Sequence, residues 1–135
     1  TTTPYGNIEH PFNLVHLAAA SGAVYVARWT TLHVRRLVES IKKMLQKEGF
    51  AFIEVITPCP EIFGRRNKMA TGIEMMNWFK KASDIQNNSD PAKAEITSEK
   101  IVLGEFIDIE KPTYNRLLCE MVSRVQKKME GGGQE

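Results

Sequence analysis

The stretch from Ala23 to Ile56 constrains the fold more than any other part of this chain. Ala23–Trp29 is short, rich in β-favouring residues and bounded by Gly22 and a threonine pair, which predicts a strand. From Leu32 to Lys47, Val34, Leu37, Val38, Ile41, Met44 and Leu45 recur at helical spacing. Arg35, Arg36, Glu39, Lys42, Lys43 and Lys47 take the other side, and Gly49 ends the helix. Phe50–Ile56 follows as an almost unbroken apolar run, the pattern of a strand buried on both faces of a parallel sheet. Strand, amphipathic helix and strand make a βαβ unit, whose crossover is right-handed in nearly all sheets. The expectation is therefore an α/β fold with a three-layer parallel sheet. In it, 50–56 is central and runs parallel to 23–29. The loop Thr57–Asn67 leaves the C-terminal end of the second strand, the edge where open α/β sheets hold their ligands.

The other segments fit around this unit. Thr1–His10 has no periodicity and reads as a loop. Pro11 is expected to open a helix with Leu14, Leu17 and Ala18 on its apolar face and Gly22 just past its end. A further helix is predicted over Ile73–Ala82, with Ile73, Met76 and Phe79 inward. Ser83–Lys100 is polar and reads as a long surface connection, and Ile101–Ile107 as a third apolar strand. Pro112 opens a last helix with the regular stripe Tyr114, Leu117, Leu118, Met121, Val122 and Val125. Residues 1–130 are read as one domain and residues 131–135 as a mobile tail.

Composition removes several classes of function. A formal charge of +2, spread over helix faces and one loop, gives no basic face for nucleic acid. No run approaches the ~18 apolar residues that mark a membrane helix, and no secretion signal stands at the start. With only Cys59 and Cys119, no disulfide framework is implied, and a cytoplasmic location is the expectation.

The most informative segment is TPCPEIFGRRN, Thr57 to Asn67. Pro58 and Pro60 frame Cys59 and restrict the backbone on both sides, so its thiol points in a defined direction at the ligand edge. A thiolate held this way suits iron–sulfur ligation, which takes four cysteines, more than this sequence has. Taken alone, a single loop cysteine is more often structural. Arg65 and Arg66 put two planar cations next to it, suited to an acidic partner or an anionic ligand, or to a solvated loop or ion pair. His10, His16 and His33 have no cysteine, carboxylate or second histidine at ligand spacing and read as structural or surface groups. Glu54, inside an apolar strand, needs a partner, and Arg28 on the preceding strand is the expected one. Cys119 beside Leu118 reads as a small buried hydrophobe, and Met75, Met76, Trp78 and Phe79 as core or subunit contact.

FAFIEVITPCPEIFGRRNKM resembles the segment of the 2-oxoacid:ferredoxin oxidoreductase β subunit in which a strand runs into a Pro-Cys-Pro turn. TTTPYGNIEHPFNLVHLAAASGAVYVARWTT resembles the stretch after that family's cofactor-binding motif, and IVLGEFIDIEKPTY its closing strand and helix. The resemblance implies the C-terminal half of a thiamine-diphosphate-binding fold, most like the 2-oxoglutarate-type members. It implies Cys59 as the fourth ligand of a 4Fe–4S cluster and Thr2 and Thr3 at the edge of the thiamine diphosphate loop. The Gly-Asp-Gly motif and later Asn that hold the diphosphate and Mg²⁺ in the family are not found here.

The activity implied is oxidative decarboxylation of a 2-oxoacid to acyl-coenzyme A, with electrons leaving through the cluster to ferredoxin. The α subunit and other subunits, ferredoxin, a 2-oxoacid and coenzyme A are the implied partners. The chain alone is expected to start mid-domain, to be inactive and to bind none of these cofactors tightly. The rival is a non-catalytic interaction or assembly module on the same scaffold, because fold does not fix function. A Gly-Asp-Gly motif and further cysteines in upstream sequence would separate the two.

Overall fold

The computed structural model describes Tyr5, residues 8–69 and residues 71–131. The first helix, α1 (Leu14–Ala20), starts later than Pro11 suggests. Asn13 is the reason. Its side chain accepts the His16 N–H at 3.0 Å and donates to the Pro91 carbonyl at 2.9 Å, capping the helix and pinning its start to the turn Pro91–Lys93. Val15 and Ala18 are buried, whereas Leu14 and Leu17 are exposed, so the inward face is turned from the one expected. Gly22, at φ +85°, takes the left-handed conformation that ends the segment.

The βαβ unit forms as β1 (Tyr25–Thr30), α2 (Val34–Gln46) and β2 (Ala51–Ile56), with a 3₁₀ turn over Thr31–His33 leading into α2. The strands are parallel and in continuous register from Tyr25 against Ala51 to Thr30 against Ile56. The helix does not bury the stripe that the sequence makes most regular. Leu37 and Met44 pack on the core and Ser40 is fully buried, whereas Val34, Val38, Ile41 and Leu45 stay exposed. Ser40 sets this rotation, because its Oγ accepts the Trp29 indole N–H at 2.7 Å inside the core. Ser40→Ala should therefore leave a buried donor unpaired and destabilise the chain by about 1–3 kcal/mol. Urea unfolding of the two proteins measures the difference.

After β2 come α3 (Gly72–Ala82), β3 (Ser83–Ile85), β4 (Ile101–Asp108) and α4 (Tyr114–Gly131). Thr71 and Glu74 form a reciprocal capping box at the start of α3. Its inward residues are Met75, Phe79 and Ala82, spaced i, i+4, i+7, while Ile73 is exposed. Residues 83–100 are more than a surface connection. They include β3 and the turn Pro91–Lys93, and they bury Ala94.

The strand order is β2-β1-β4-β3. Pairs β1–β2 and β3–β4 are parallel, so the sheet is mostly parallel, but β4 runs antiparallel to β1 with a register shift between Val26 and Ala27. The direction follows from the connection. β3 continues from α3 without a loop and enters the sheet at the edge where β2 leaves it. The expectation that β2 is central is corrected, since β1, β4 and β3 all lie to one side of it. Helices cover both faces, which gives the three layers. On one face α1 packs with Val26, Ala94, Val102 and Phe106. On the other, α2 and α3 pack with Tyr25, Ala27, Trp29, Ile101 and Leu103.

The last helix departs most from expectation. Tyr114, Leu117, Leu118, Met121, Val122 and Val125 are exposed, and neither core cluster contains a residue of α4. Cys119 is exposed too, so it is not the buried hydrophobe that its neighbours suggest. Gly131 belongs to the helix, and the rest of the expected mobile tail lies outside the described residues. Among the described residues no helix is long and apolar enough to cross a membrane.

Candidate functional site

Cys59 stands three residues past the end of β2, at the C-terminal edge of the β1–β2 pair, with an exposed, unpaired thiol. It is the cap residue of a π-type turn, Pro60–Gly64, that continues helically to Arg66. The backbone amides of Phe63, then Ile62, pull the pKa of the thiol below its ordinary value. The prolines thus do more than restrict Cys59. Pro60 lacks an N–H of its own and sits where a helical first turn needs none, leaving the next amides free to face the sulfur.

Backbone bonds close the loop upon itself. Gly64 N–H donates to the Cys59 carbonyl at 2.8 Å, and the Gly64 carbonyl accepts Met69 N–H at 2.7 Å. A Cβ at position 64 would lie 2.1 Å from the Met69 carbonyl oxygen, so glycine is required there by close approach. Gly64→Ala should open the turn and cost about 1–3 kcal/mol. It should also loosen the influence of the Phe63 and Ile62 amides on the sulfur. The rate of thiol alkylation against pH checks this. Wild-type Cys59 should keep its thiolate to lower pH than an unstructured cysteine, and the Gly64→Ala protein should move back towards the ordinary value.

Behind the thiol lies an apolar cavity of about 200 Å³ lined by Ile56, Thr57, Cys59, Phe63, Trp78 and Phe79, among others. Trp78 is held over Phe63 at 6.3 Å between ring centres and donates its indole N–H to the Ser98 carbonyl at 2.7 Å. The sequence reading missed this cavity. The aromatic pair Phe63 and Trp78, Phe63 exposed and Trp78 partly buried beside a core that buries Met75 and Phe79, was the available signal.

Arg65 shares the turn with Cys59 and pairs with Glu61 at 3.0 Å, both side chains being largely exposed. Arg66 follows it on the same helical turn. Thr2 and Thr3 lie outside the described residues. The histidines do not converge. His33 Nδ1 bonds Thr30 Oγ1 at 2.9 Å, with burial and then Arg36 lowering its pKa, and His10 and His16 are exposed on the segment before and within α1. Among the described residues no three or more His, Cys, Asp or Glu side chains gather as a metal-binding group. Cys59 and Cys119 are both exposed free thiols, and Cys59 is the one with a lowered pKa.

The expected pairing of Glu54 is met. Arg28, fully buried on β1, donates Nε–H to Glu54 Oε2 at 2.7 Å and Nη1–H to the carbonyls of Ala94 and Val102. This ties β2, β1, β4 and the turn at 91–94 into one polar knot, and Arg28 also borders a cavity with His10, Asn13 and Thr97.

Residues 1–55 match the family described as thiamine pyrophosphate enzyme, C-terminal TPP binding domain. The 2-oxoglutarate synthase subunit KorB of Methanocaldococcus jannaschii is 45% identical over 126 residues, 93% of this chain and 47% of that protein. The chain is a relative of the β subunits of 2-oxoacid:ferredoxin oxidoreductases. The Methanothermobacter thermautotrophicus subunit of the same name is 43% identical over 90% of this chain and 43% of its own length. The chain thus spans about half the length of the curated relatives it matches. A 2-oxoglutarate:ferredoxin oxidoreductase from Magnetococcus marinus, solved with 2-oxoglutarate, coenzyme A and succinyl-CoA bound, has the same fold. It covers all of this chain and 49% of its own, with a TM-score of 0.66 and 22% identity.

Proposed function

We propose that this chain is the C-terminal portion of the thiamine-diphosphate-binding β subunit of a 2-oxoacid:ferredoxin oxidoreductase, with 2-oxoglutarate as its 2-oxoacid. The observation that carries this reading is the similarity to two 2-oxoglutarate synthase subunits across at least nine-tenths of the chain. The enzyme would decarboxylate the 2-oxoacid oxidatively to acyl-coenzyme A and pass the electrons to ferredoxin. It would work in the cytoplasm with an α subunit and further subunits. Residues 1–130 would form part of the thiamine diphosphate domain, and Thr2 and Thr3 the edge of its cofactor loop.

In that enzyme thiamine diphosphate with Mg²⁺ would supply the electron sink for decarboxylation, and a 4Fe–4S cluster the one-electron outlet. This chain's own residues have narrower tasks. Cys59 offers a thiolate, with the N–H groups of Phe63 and Ile62 stabilising its negative charge. Such hydrogen bonds to sulfur are among the factors that set a cluster's potential. The closed loop from Cys59 to Met69 holds the sulfur in place at the edge of the sheet. Arg65 and Arg66 add positive charge to the same turn, suited to an acidic ferredoxin or to the phosphates of coenzyme A.

The test is the composition of the native complex that contains this chain. Thiamine diphosphate and iron in fixed ratio to the chain are the expected result. A stable complex with neither would overturn the reading.

A further inference from the structure

We propose that the C-terminal edge of the β1–β2 pair, around Cys59, is a docking surface for an acidic electron-carrier protein, held by Arg35 and Arg36 of α2 together with the cations of the Cys59 turn. This rests on reading the chain as part of a ferredoxin-reducing enzyme, which is what calls for such a carrier. Thr30 and Ile56 pair as the last residues of β1 and β2. The segments that follow them, 31–36 and 57–68, therefore leave the sheet side by side. α3 touches both, at the turn Thr31–His33 and at the turn Pro60–Gly64.

The fold gathers at this edge cations that the sequence divides between a helix and a loop. The two segments hold Arg35, Arg36, Arg65, Arg66 and Lys68 against a single carboxylate, Glu61. The whole chain has a formal charge of only +2, so everything outside them is net negative. Glu61 is committed to Arg65. Arg35, Arg36 and Lys68 are exposed and, among the described residues, form no ion pair. Glu39, one turn further along α2, borders a cavity with both arginines but pairs with neither. Arg36 is kept in place by Trp29, whose ring centre lies 5.6 Å from the guanidinium carbon. Further down the same helix, by contrast, Lys43 and Lys47 are neutralised by Glu105, Asp108 and Glu110.

The surface is not only charged. Ile62 and Phe63 are exposed on the Cys59 turn, with cations on the same turn and on the neighbouring segment. Apolar side chains within a charged rim are the anatomy of a protein interface. A lone phosphate would use the arginines and leave Ile62 and Phe63 bare. Electron-transfer encounters are small and transient, and complementary charge raises their on-rate by about 10–1,000-fold. An acidic carrier meets that requirement. Its approach also brings its redox centre to the side of the sheet where the Cys59 sulfur is exposed.

Titration calorimetry of oxidised ferredoxin into the purified native oxidoreductase tests the proposal. It is run at about 50 mM and about 500 mM salt, between which the screening length falls roughly threefold. R35E combined with R36E should weaken binding about tenfold or more at the lower salt, and the gap should close at the higher. R35K combined with R36K keeps the charge and loses the planar fork, and should bind within about twofold of the parent. Unchanged binding in the charge-reversed complex would overturn the docking. Weaker coenzyme A binding in both double variants, with ferredoxin binding unmoved, would assign the arginines to a phosphate of coenzyme A and overturn it equally. Where charge reversal prevents assembly, the single exposed change R35Q decides: binding about threefold weaker at low salt is expected, and unchanged binding overturns the docking. All of these outcomes leave the function standing. A native complex with no 2-oxoacid-dependent turnover would sink that reading instead.

Discussion

In the assembled enzyme, Cys59→Ala should abolish the signal of the 4Fe–4S cluster and reduce ferredoxin reduction to background. The thiol is exposed, its charge is stabilised by two N–H groups, and the turn that directs it is closed by hydrogen bonds at 2.7 and 2.8 Å. Alanine keeps the turn and removes only the thiol. Losing an outer-shell partner of a metal ligand costs roughly 10–100-fold in affinity or activity, and losing the ligand itself should exceed that. Cys119→Ala is the matched control. Cys119 is exposed on α4, outside both core clusters, so its removal should leave the cluster signal intact and change stability by no more than about 0.5 kcal/mol. Electron paramagnetic resonance of the dithionite-reduced complexes distinguishes the outcomes. An unchanged signal in the Cys59→Ala complex would reduce the Pro-Cys-Pro turn to a structural feature.

The second large effect belongs to stability. Arg28→Ala should destabilise the fold by about 3–5 kcal/mol, because it strands a carboxylate in the core. Glu54, only 16% exposed at its side chain, would lose its cation, and the Ala94 and Val102 carbonyls a donor. Replacing both partners, with Arg28→Met and Glu54→Gln together, should cost less than Arg28→Ala alone, since no unpaired charge remains. Urea unfolding of the single and double variants gives the coupling. Additive losses would mean that the pair contributes nothing as a pair.

The elements legible in the sequence were those whose signal is local. The Ala23–Ile56 stretch fixes strand, helix and strand through periodicity and glycine stops, and β1, α2 and β2 form as read. Periodicity has no direction, however. Ile101–Asp108 reads as a strand from its residues, but only its placement after α3 and β3 makes it antiparallel to β1. Nor does periodicity say which apolar stripe is buried. On α2 the more regular stripe, Val34, Val38, Ile41 and Leu45, is exposed, because the bond from Trp29 to Ser40 turns a polar residue inward. On α4 a regular stripe has no core beneath it among the described residues.

The candidate site divides the same way. The prolines around Cys59 were readable as restraint, and the Arg28–Glu54 pair as a partner for a buried charge. The amides of Phe63 and Ile62 turned to sulfur were not, because they depend on a π-type turn with no sequence signature of its own. The aromatic wall behind the thiol combines Phe63 and Trp78 from separate segments, a proximity that only the fold creates.

Coenzyme-A-dependent reduction of ferredoxin by the native complex, with 2-oxoglutarate or pyruvate as donor, tests the central claim most directly. The account predicts turnover that requires coenzyme A, is lost when thiamine diphosphate is removed, and favours 2-oxoglutarate. A cofactor-replete complex containing this chain that reduces ferredoxin with no 2-oxoacid would contradict it.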